Sequence, residues 1–387
     1  MAEHSEAQLL AIAEAFHGHG LIESIKPLGN GIVNDTYLVR TKQHRTVLQR
    51  LNTQVFTKPQ LVLQNLQVLA DHVDAKLNVA DGHPQLSGRR WQLPRLVPTR
   101  DRQQNWHGTA AGDIWRTITY VPDSECVEVA EGPARARELG IGLGIFHQLI
   151  SDLPVSALAD TLEGFHITPR YLEAYRKALV QSTLQPCDAT ERCIRFICER
   201  EAVCDLLERA KERGELPLRP VHGDPKINNM LFDRQSGQAV ALVDLDTVKP
   251  GLVHYDIGDC LRSCCNRLGE ECLNPEAVDF DLELAEAILE GYLSVAADFL
   301  TEAEIRYIPD AARVISFELG LRFFSDYLGG STYFKVERPQ QNLERALVQF
   351  QLTASIESKF DQLRKLVERL APQAQEPSRQ AFRSSGR

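Results

Sequence analysis

Residues 221–233 have the sequence VHGDPKINNMLFD, and a second unusual stretch, VALVDLDTVKPG, occupies residues 240–251. Asp224 follows the apolar piece LRPV, and Asp244 follows the apolar piece AVALV. Each piece predicts a short strand, and the segment from Asn229 to Asp244 predicts a hairpin that turns at RQSGQ. Because strand ends present their side chains into clefts, we expect these three polar residues to lie close together.

The spacing of these polar residues indicates a chemistry. Oxygen ligands from one Asn and one Asp suit a magnesium ion that also holds phosphate oxygens. A separate Asp can accept the proton of a substrate hydroxyl, as in kinases, whose catalytic loop has the pattern H-R-D-x-x-x-x-N. Here the loop is H-G-D-P-K-I-N-N, so Asp224 is the predicted base and Lys226 a predicted cation beside the transferred phosphoryl group. The alternative is a hairpin whose Asn and Asp only stabilise turns; the complete set favours phosphoryl transfer.

The composition and the first residues argue against several other classes of protein. The 387-residue chain has a net charge of −10, which argues against a broad nucleic-acid surface. No apolar run approaches the ~18 residues of a membrane span. The first residues lack the basic region of a secretion signal, so we expect a cytoplasmic protein with free thiols.

The pattern along the chain predicts an α+β fold with two lobes. Alternating apolar residues dominate up to Pro122, and helical periodicity follows, interrupted only by the two strand pieces near Asp224. We therefore predict a β-rich N-lobe over 1–122, a helical C-lobe over 123–371 and a disordered tail over 372–387. Within the C-lobe, residues 191–213 are predicted to form one helix.

The stretches HGDPKINNMLFD, LVDLDTVKPG and YDIGD resemble the aminoglycoside phosphotransferase and choline kinase-like family. Within that family the likeness is strongest to the N-acetylhexosamine 1-kinases. That narrower likeness is carried by FHITPRYLEAYRKAL and LGLRFFSDYLGGSTYF. The resemblance extends over roughly residues 21–370, nearly the whole chain.

The resemblance implies a protein-kinase-like fold with a nucleotide cleft between the lobes, using ATP and Mg²⁺. Asp224 would be the base, and Asn229 and Asp244 the magnesium ligands. Backbone of Tyr120 and Val121 would meet the adenine. The residues implied to cover the phosphates are Gly29, Gly31, Asn34, Asp35 and Thr36. The residues implied to contact a sugar are Arg322 and Tyr333.

The sequence departs from the kinase pattern at one place. Kinases carry a Lys on the third strand that pairs with a Glu on the next helix. Here the strand VLQRL has Gln49 near that place and Arg50 on the opposite face, and the following helix offers Gln64 and Asn65. The hexosamine kinases resemble this chain in having Gln there. Lys226 is left as the main predicted cation at the phosphates.

Three residues carry open alternatives. Asp246 can approach the metal, approach the sugar, or cap a turn. Arg322 can bind the substrate or pair with Asp326 one helical turn later. Tyr333 can contact a sugar or fill the core.

The sequence therefore predicts a kinase of the anomeric hydroxyl of an N-acetylhexosamine, which gives the sugar 1-phosphate. The alternatives are a kinase of an amino alcohol, an aminoglycoside or another sugar, and a non-catalytic nucleotide-binding regulator. A metal-dependent hydrolase would need several more His residues. We expect a small-molecule sugar as partner and neither nucleic acid nor membrane; monomer and homodimer both stay open.

Overall fold

A computed structural model describes residues 4–29, 33–78, 86 and 88–375 of the chain, with side chains up to residue 371. Across these ranges no helix combines the length and apolar character needed to span a membrane. The N-terminal part is an antiparallel sheet in the order β1-β2-β3-β6-β4, with β5 also pairing to β6. Its strands are β1 Ile22–Pro27, β2 Asp35–Thr41, β3 Arg45–Leu51, β4 Leu96–Val97, β5 His107–Gly108 and β6 Ile114–Thr119.

Helix α1 (Glu6–His17) covers one face of this sheet. It begins at a capping box formed by Ser5 and Gln8, which satisfies two of the free amides at the helix start. Its apolar stripe packs in one cluster with Leu48 of β3 and Trp115 of β6. Because side chains alternate along a strand, the neighbours of Leu48 and Trp115 face away from α1.

The strand register sorts the polar residues of the sheet into two rows. Thr36, Gln49 and Arg116 lie opposite one another across β2, β3 and β6. Asp35 and Arg50 pair in the adjacent row, which continues to Trp115 and therefore faces α1. The first row faces the helical part of the molecule.

The rest of the chain is largely helical, so the predicted α+β protein-kinase-like fold is confirmed. The helices are α2 Pro59–Leu77, α3 Pro133–Ile150, α4 Thr168–Gln181, α5 Asp188–Cys198, α6 Leu206–Glu212, α7 Val253–Cys264, α8 Leu282–Ala296, α9 Glu302–Arg306, α10 Ile308–Leu328, α11 Gln341–Ser358 and α12 Phe360–Gln375. The strands are β7 Ser124–Glu125, β8 Arg219–Val221, β9 Met230–Asp233, β10 Ala239–Leu242 and β11 Lys249–Gly251. Strands β9 and β10 form the predicted hairpin, joined by β7, while β8 pairs with β11.

Two predictions about the helical part need correction. The single helix predicted over 191–213 is broken between α5 and α6, because the two pieces pack into different clusters: Ile197 of α5 lies with Phe317, whereas Leu207 of α6 lies with Leu252. The predicted disordered tail begins too early, since α12 continues to Gln375. Residues 376–387 of that predicted tail lie outside the described residues.

Helices α3 and α8 cross in direct backbone contact. A Cβ atom on Gly140 of α3 would overlap the carbonyl oxygen of Ile288, and one on Gly291 of α8 would overlap the carbonyl oxygen of Arg137. This close approach lets the Tyr292 hydroxyl of α8 lie 2.9 Å from Nδ1 of His147 on α3. The crossing therefore fixes His147, which points towards the loop that carries Asp224.

We expect Gly140→Ala or Gly291→Ala to destabilise the protein by about 1–3 kcal/mol, the usual cost of overfilling a packed site. The measurement is the midpoint of urea unfolding. Gly132→Ala is the matched control, because a Cβ there meets no atom within 4 Å and the backbone φ of 170° is extended. Equal midpoints for the three variants would contradict the close crossing.

Candidate active site

The loop after β8 is held by one buried carboxylate. Asp256 of α7 accepts the backbone N–H of His222 at 2.6 Å and that of Gly223 at 2.8 Å. Nε2 of His147 lies 2.8 Å from the same carboxylate. Burial raises the pKa of Asp256, but His147 outweighs that effect and holds the pKa below its usual value. The carboxylate therefore stays ionised and anchors the loop to the helical core.

His222 connects the two strand ends that precede Asp224 and Asp244. Its Nδ1 accepts the backbone N–H of Asp224 at 3.1 Å, so Nε2 carries the proton and donates to the carbonyl of Val243 at 2.9 Å. Burial lowers the pKa of His222, which favours this neutral form. The histidine thus positions both acidic residues and carries no charge itself.

Gly223 meets two requirements of the same loop. Its φ is +89°, a conformation that costs residues with a side chain about 1–2 kcal/mol. A Cβ there would also lie 2.9 Å from the carbonyl oxygen of Thr247. The loop can therefore lie against the segment that follows Asp244 only with glycine at this position.

Asp224, Lys226 and Asn229 form one cluster at the cleft. Nζ of Lys226 lies 3.1 Å from Oδ2 of Asp224, whose side chain is 30% exposed. The Asn229 amide donates to the carbonyl of Asp224 at 2.7 Å and to its Oδ2 at 3.3 Å. The carboxylates of Asp224 and, after an opposing effect of burial, Asp244 raise the pKa of Lys226. Lys226 is therefore a fixed positive charge beside an accessible carboxylate.

Asp244 follows β10 in the left-handed conformation, with φ 63° and ψ 55°. It is solvent-exposed at the cleft, yet the surrounding walls remove part of its hydration. That desolvation, together with the charges of Asp246 and Asp224, raises the pKa of Asp244 to about 7. Within the described ranges, neither its carboxylate nor Oδ1 of Asn229 has a hydrogen-bond partner.

These oxygen donors fit a magnesium ion. Crowded carboxylates and an unpaired amide oxygen are hard ligands, and a divalent cation would relieve the repulsion that raises the pKa of Asp244. In the part of the chain that is described, no three His, Cys, Asp or Glu side chains form a metal site by themselves. Mg²⁺ there would need further oxygens, which phosphate groups can supply.

Asp246 makes two contacts that its sequence did not indicate. It is 2% exposed, with Nη2 of Arg116 at 2.5 Å from its Oδ1 and the amide of Asn34 donating to its Oδ2 at 2.7 Å. Arg116 comes from β6 and Asn34 precedes β2, so both partners belong to the N-terminal sheet region. Asp246 therefore links the sheet to the loop that carries Asp244.

Gln49, predicted to lie near the place of the kinase lysine, bonds Arg116 and Thr36. Its Oε1 accepts hydrogen bonds from Nε and Nη2 of Arg116 at 3.0 and 2.8 Å, and its Nε2 donates one to the hydroxyl of Thr36 at 3.2 Å. Asn65 of α2, where kinases place Glu, instead bonds the carbonyls of Ala159 and Val248 at 2.8 and 2.9 Å. In place of an ion pair between strand and helix, Gln49 bonds within the sheet, whereas Asn65 bonds carbonyls of the helical part.

The residues predicted to cover the phosphates do not all face the cleft. Thr36 shares the face of Arg116, whereas the carboxylate of Asp35 lies on the opposite face and accepts Nε of Arg50 at 2.8 Å. The side chain of Asp35 therefore points away from the cleft. Gly29 has a φ of +71°, typical of a tight turn. Gly31 lies outside the described residues.

Tyr120 and Val121 form the connection between the sheet and the helical part. Among the described residues, neither the carbonyl of Tyr120 nor the amide of Val121 has a hydrogen-bond partner. Val121 packs in one apolar cluster with Val240 and Ala241. A free donor and acceptor beside an apolar wall suit the edge and face of a nucleobase.

Arg322 of α10 lies in an aromatic cage near Asp224. Its guanidinium carbon is 5.1 Å from the ring centre of Phe165, 5.3 Å from that of Tyr171 and 5.4 Å from that of Phe334. It is close enough to Asp224 to feel its charge. No carboxylate pairs with it in the described ranges, so this half-buried cation keeps free donors.

The alternatives for Arg322 and Tyr333 do not match their surroundings. Asp326 accepts the backbone amides of Tyr333 and Phe334 instead of pairing with Arg322. Tyr333 is 56% exposed and stands edge-on to Phe334, so it is a rim residue and not part of the core.

Sequence reasoning missed Arg116 and Glu318. Glu318 lies one helical turn before Arg322, is 1% exposed, and pairs with Nδ1 of His166 at 2.8 Å. Nε2 of His166 lies 2.8 Å from the carbonyl oxygen of Gly223. The positive φ of His166 is visible only in the folded chain. Through His166, Glu318 thus supports the loop before Asp224, which Asp256 also holds.

Comparisons with known proteins bear on the family and the fold of this chain. The model of the phosphotransferase enzyme family matches residues 24–296. A microcompartment-associated aminopropanol kinase has a TM-score of 0.58 and 20% identity, over 88% of this chain and 93% of that chain. A Plasmodium vivax ethanolamine kinase has a TM-score of 0.56 and 13% identity, over 94% and 93%. A choline/ethanolamine kinase family protein from Mesorhizobium loti has a TM-score of 0.50 and 13% identity, over 93% and 98%. At such identities the likeness shows the fold.

We expect Asp224→Asn to lower the turnover rate of phosphoryl transfer by about 10²–10⁴-fold, the usual contribution of a positioned base, without loss of nucleotide binding. Asp244→Asn should instead weaken magnesium-dependent binding of ADP. Calorimetric titration of ADP with and without Mg²⁺, next to steady-state rates, separates the two effects. If Asp224→Asn keeps most of its activity, Asp224 is not the base.

Proposed function

The chain belongs to the phosphotransferase enzyme family, and we propose that, as a small-molecule kinase, it phosphorylates the anomeric hydroxyl of an N-acetylhexosamine. ATP would be the donor, and a sugar 1-phosphate and ADP the products. The cleft residues Asp224, Lys226, Asn229 and Asp244 support the reaction class. The surroundings of Arg322 support the choice of a neutral acceptor.

In the proposed reaction, Asp224 takes the proton of the C1 hydroxyl. The freed oxygen forms a bond to the γ-phosphorus of ATP while the bond between that phosphorus and the ADP oxygen breaks. Lys226, 3.1 Å from Asp224, is placed to offset negative charge on the transferred group. Asn229 and Asp244 would hold Mg²⁺, which neutralises charge on the phosphates when bound.

The observation that carries the acceptor class is the unpaired Arg322. A protonated amine held close to this guanidinium would be repelled by about 4 kcal/mol at 4 Å in a partly buried site. Lys226 adds a second positive charge beside Asp224. A neutral sugar presents ring, hydroxyl and acetamido oxygens that accept directional N–H bonds from a guanidinium. The exposed ring of Tyr333 offers an apolar surface for the sugar face.

The test of this function is a screen of ADP release with ATP and Mg²⁺. The acceptors are N-acetylglucosamine, N-acetylgalactosamine, glucose, galactose, choline, ethanolamine and an aminoglycoside. We expect rapid release only with an N-acetylated sugar, and phosphorus NMR should show the product phosphate coupled to the proton on C1. A 6-phosphate, or rapid transfer to an amino alcohol with none to either sugar, would contradict the proposal.

Arg322→Ala should raise the apparent constant for the sugar and leave that for ATP nearly unchanged. Loss of one contact to a buried partner costs about 1–3 kcal/mol, roughly 5- to 150-fold in the sugar constant. The matched control is Arg313→Ala, because Arg313 lies on the same helix but pairs with Asp310. Parallel measurement of both constants decides the outcome. A change only in the constant for ATP, or equal changes in both variants, would show that Arg322 does not belong to the acceptor site.

A further inference from the structure

The cleft face of the sheet carries one buried cation that no kinase pattern assigns. In protein kinases, the lysine of the third strand pairs with the α- and β-phosphates. Here that strand presents the neutral Gln49 to the cleft, while the cation beside it, Arg50, faces α1. In the same row on the next strand stands Arg116, which is 2% exposed.

Arg116 is held rigidly by partners on both sides of the cleft. Gln49 accepts two of its N–H groups, and Asp246 pairs with Nη2 at 2.5 Å. Asp246 is two residues from Asp244, and the positive charge of Arg116 is near enough to act on Asp244. The guanidinium therefore lies beside the proposed magnesium ligands, on the side of the sheet.

Nη1 of Arg116 is shielded from solvent and finds no hydrogen-bond partner among the residues with described positions. A buried charged donor without a partner is unfavourable, and such groups are normally satisfied. A phosphate oxygen of a ligand that enters between the sheet and the loop of Asp244 would satisfy Nη1.

We propose that Arg116 contacts the nucleotide phosphates through Nη1 and supplies the positive charge that the missing third-strand lysine supplies in kinases. This inference rests on the proposed kinase function. Lys226 is engaged with Asp224 near the transferred group, so it does not replace this charge. Gln49 and Asp246 act as positioning residues, because they orient the guanidinium and leave one edge free.

The proposal is tested by ligands that differ only in their phosphates. ADP and adenosine are titrated calorimetrically, in the presence of Mg²⁺, into the wild-type protein, Arg116→Lys and the control Arg50→Lys. Arg50 is the residue after Gln49 and, like Arg116, forms ion pairs, in this case with Asp35 and Asp113. Unlike Arg116, it faces α1. Arg116→Lys should weaken ADP roughly 10- to 100-fold and leave adenosine unchanged. Arg50→Lys should change neither ligand.

Gln49→Glu is the second variant, since it keeps Arg116 and gives it an additional carboxylate. It should weaken ADP and spare adenosine, so it tests the contact even if Arg116→Lys fails to fold. Wild-type affinity for ADP in a folded Arg116→Lys or Gln49→Glu protein would overturn the proposal, as would an equal loss of ADP and adenosine. If the wild-type protein binds neither ligand, the kinase function itself is wrong, which is a different result.

Discussion

A buried ion pair between Arg116 and Asp246 determines how the two parts of this molecule meet. It joins the sheet row of Thr36, Gln49 and Arg116 to the loop that carries Asp244, and Asn34 adds a hydrogen bond to the same carboxylate. Removing one partner of a buried pair leaves an uncompensated charge and costs about 3–5 kcal/mol. The position of the sheet relative to the acidic loop therefore depends on this contact.

The loop of Asp224 is fixed by a second chain of contacts that begins in the helical core. The glycines of α3 and α8 allow a close crossing, Tyr292 orients His147, and His147 keeps Asp256 ionised. Asp256 then holds two consecutive amides of the loop. The packed core thus controls the position of a carboxylate at the surface, and the ion pair to the sheet sets what faces it across the cleft.

Much of this site could be predicted because its acidic residues are close in sequence. Asp224, Asn229 and Asp244 lie within one loop and one hairpin, whose strand and turn signals are local. Arg116 and Glu318 could not be found in that way, since each lies in an ordinary strand or helix about a hundred residues from the loop. The break between α5 and α6 was also hidden, because it follows from packing against different partners. The pattern drew attention to Gln49, but its contact with Arg116 is visible only in the folded chain.

The most direct test is a crystal structure with Mg²⁺, a non-hydrolysable ATP analogue and an N-acetylhexosamine. We expect the C1 hydroxyl oxygen about 2.6–3.2 Å from the carboxylate of Asp224, in line with the terminal phosphorus. We also expect the sugar oxygens to contact Arg322. A different hydroxyl at Asp224, or a sugar bound away from both Asp224 and Arg322, would contradict this expectation.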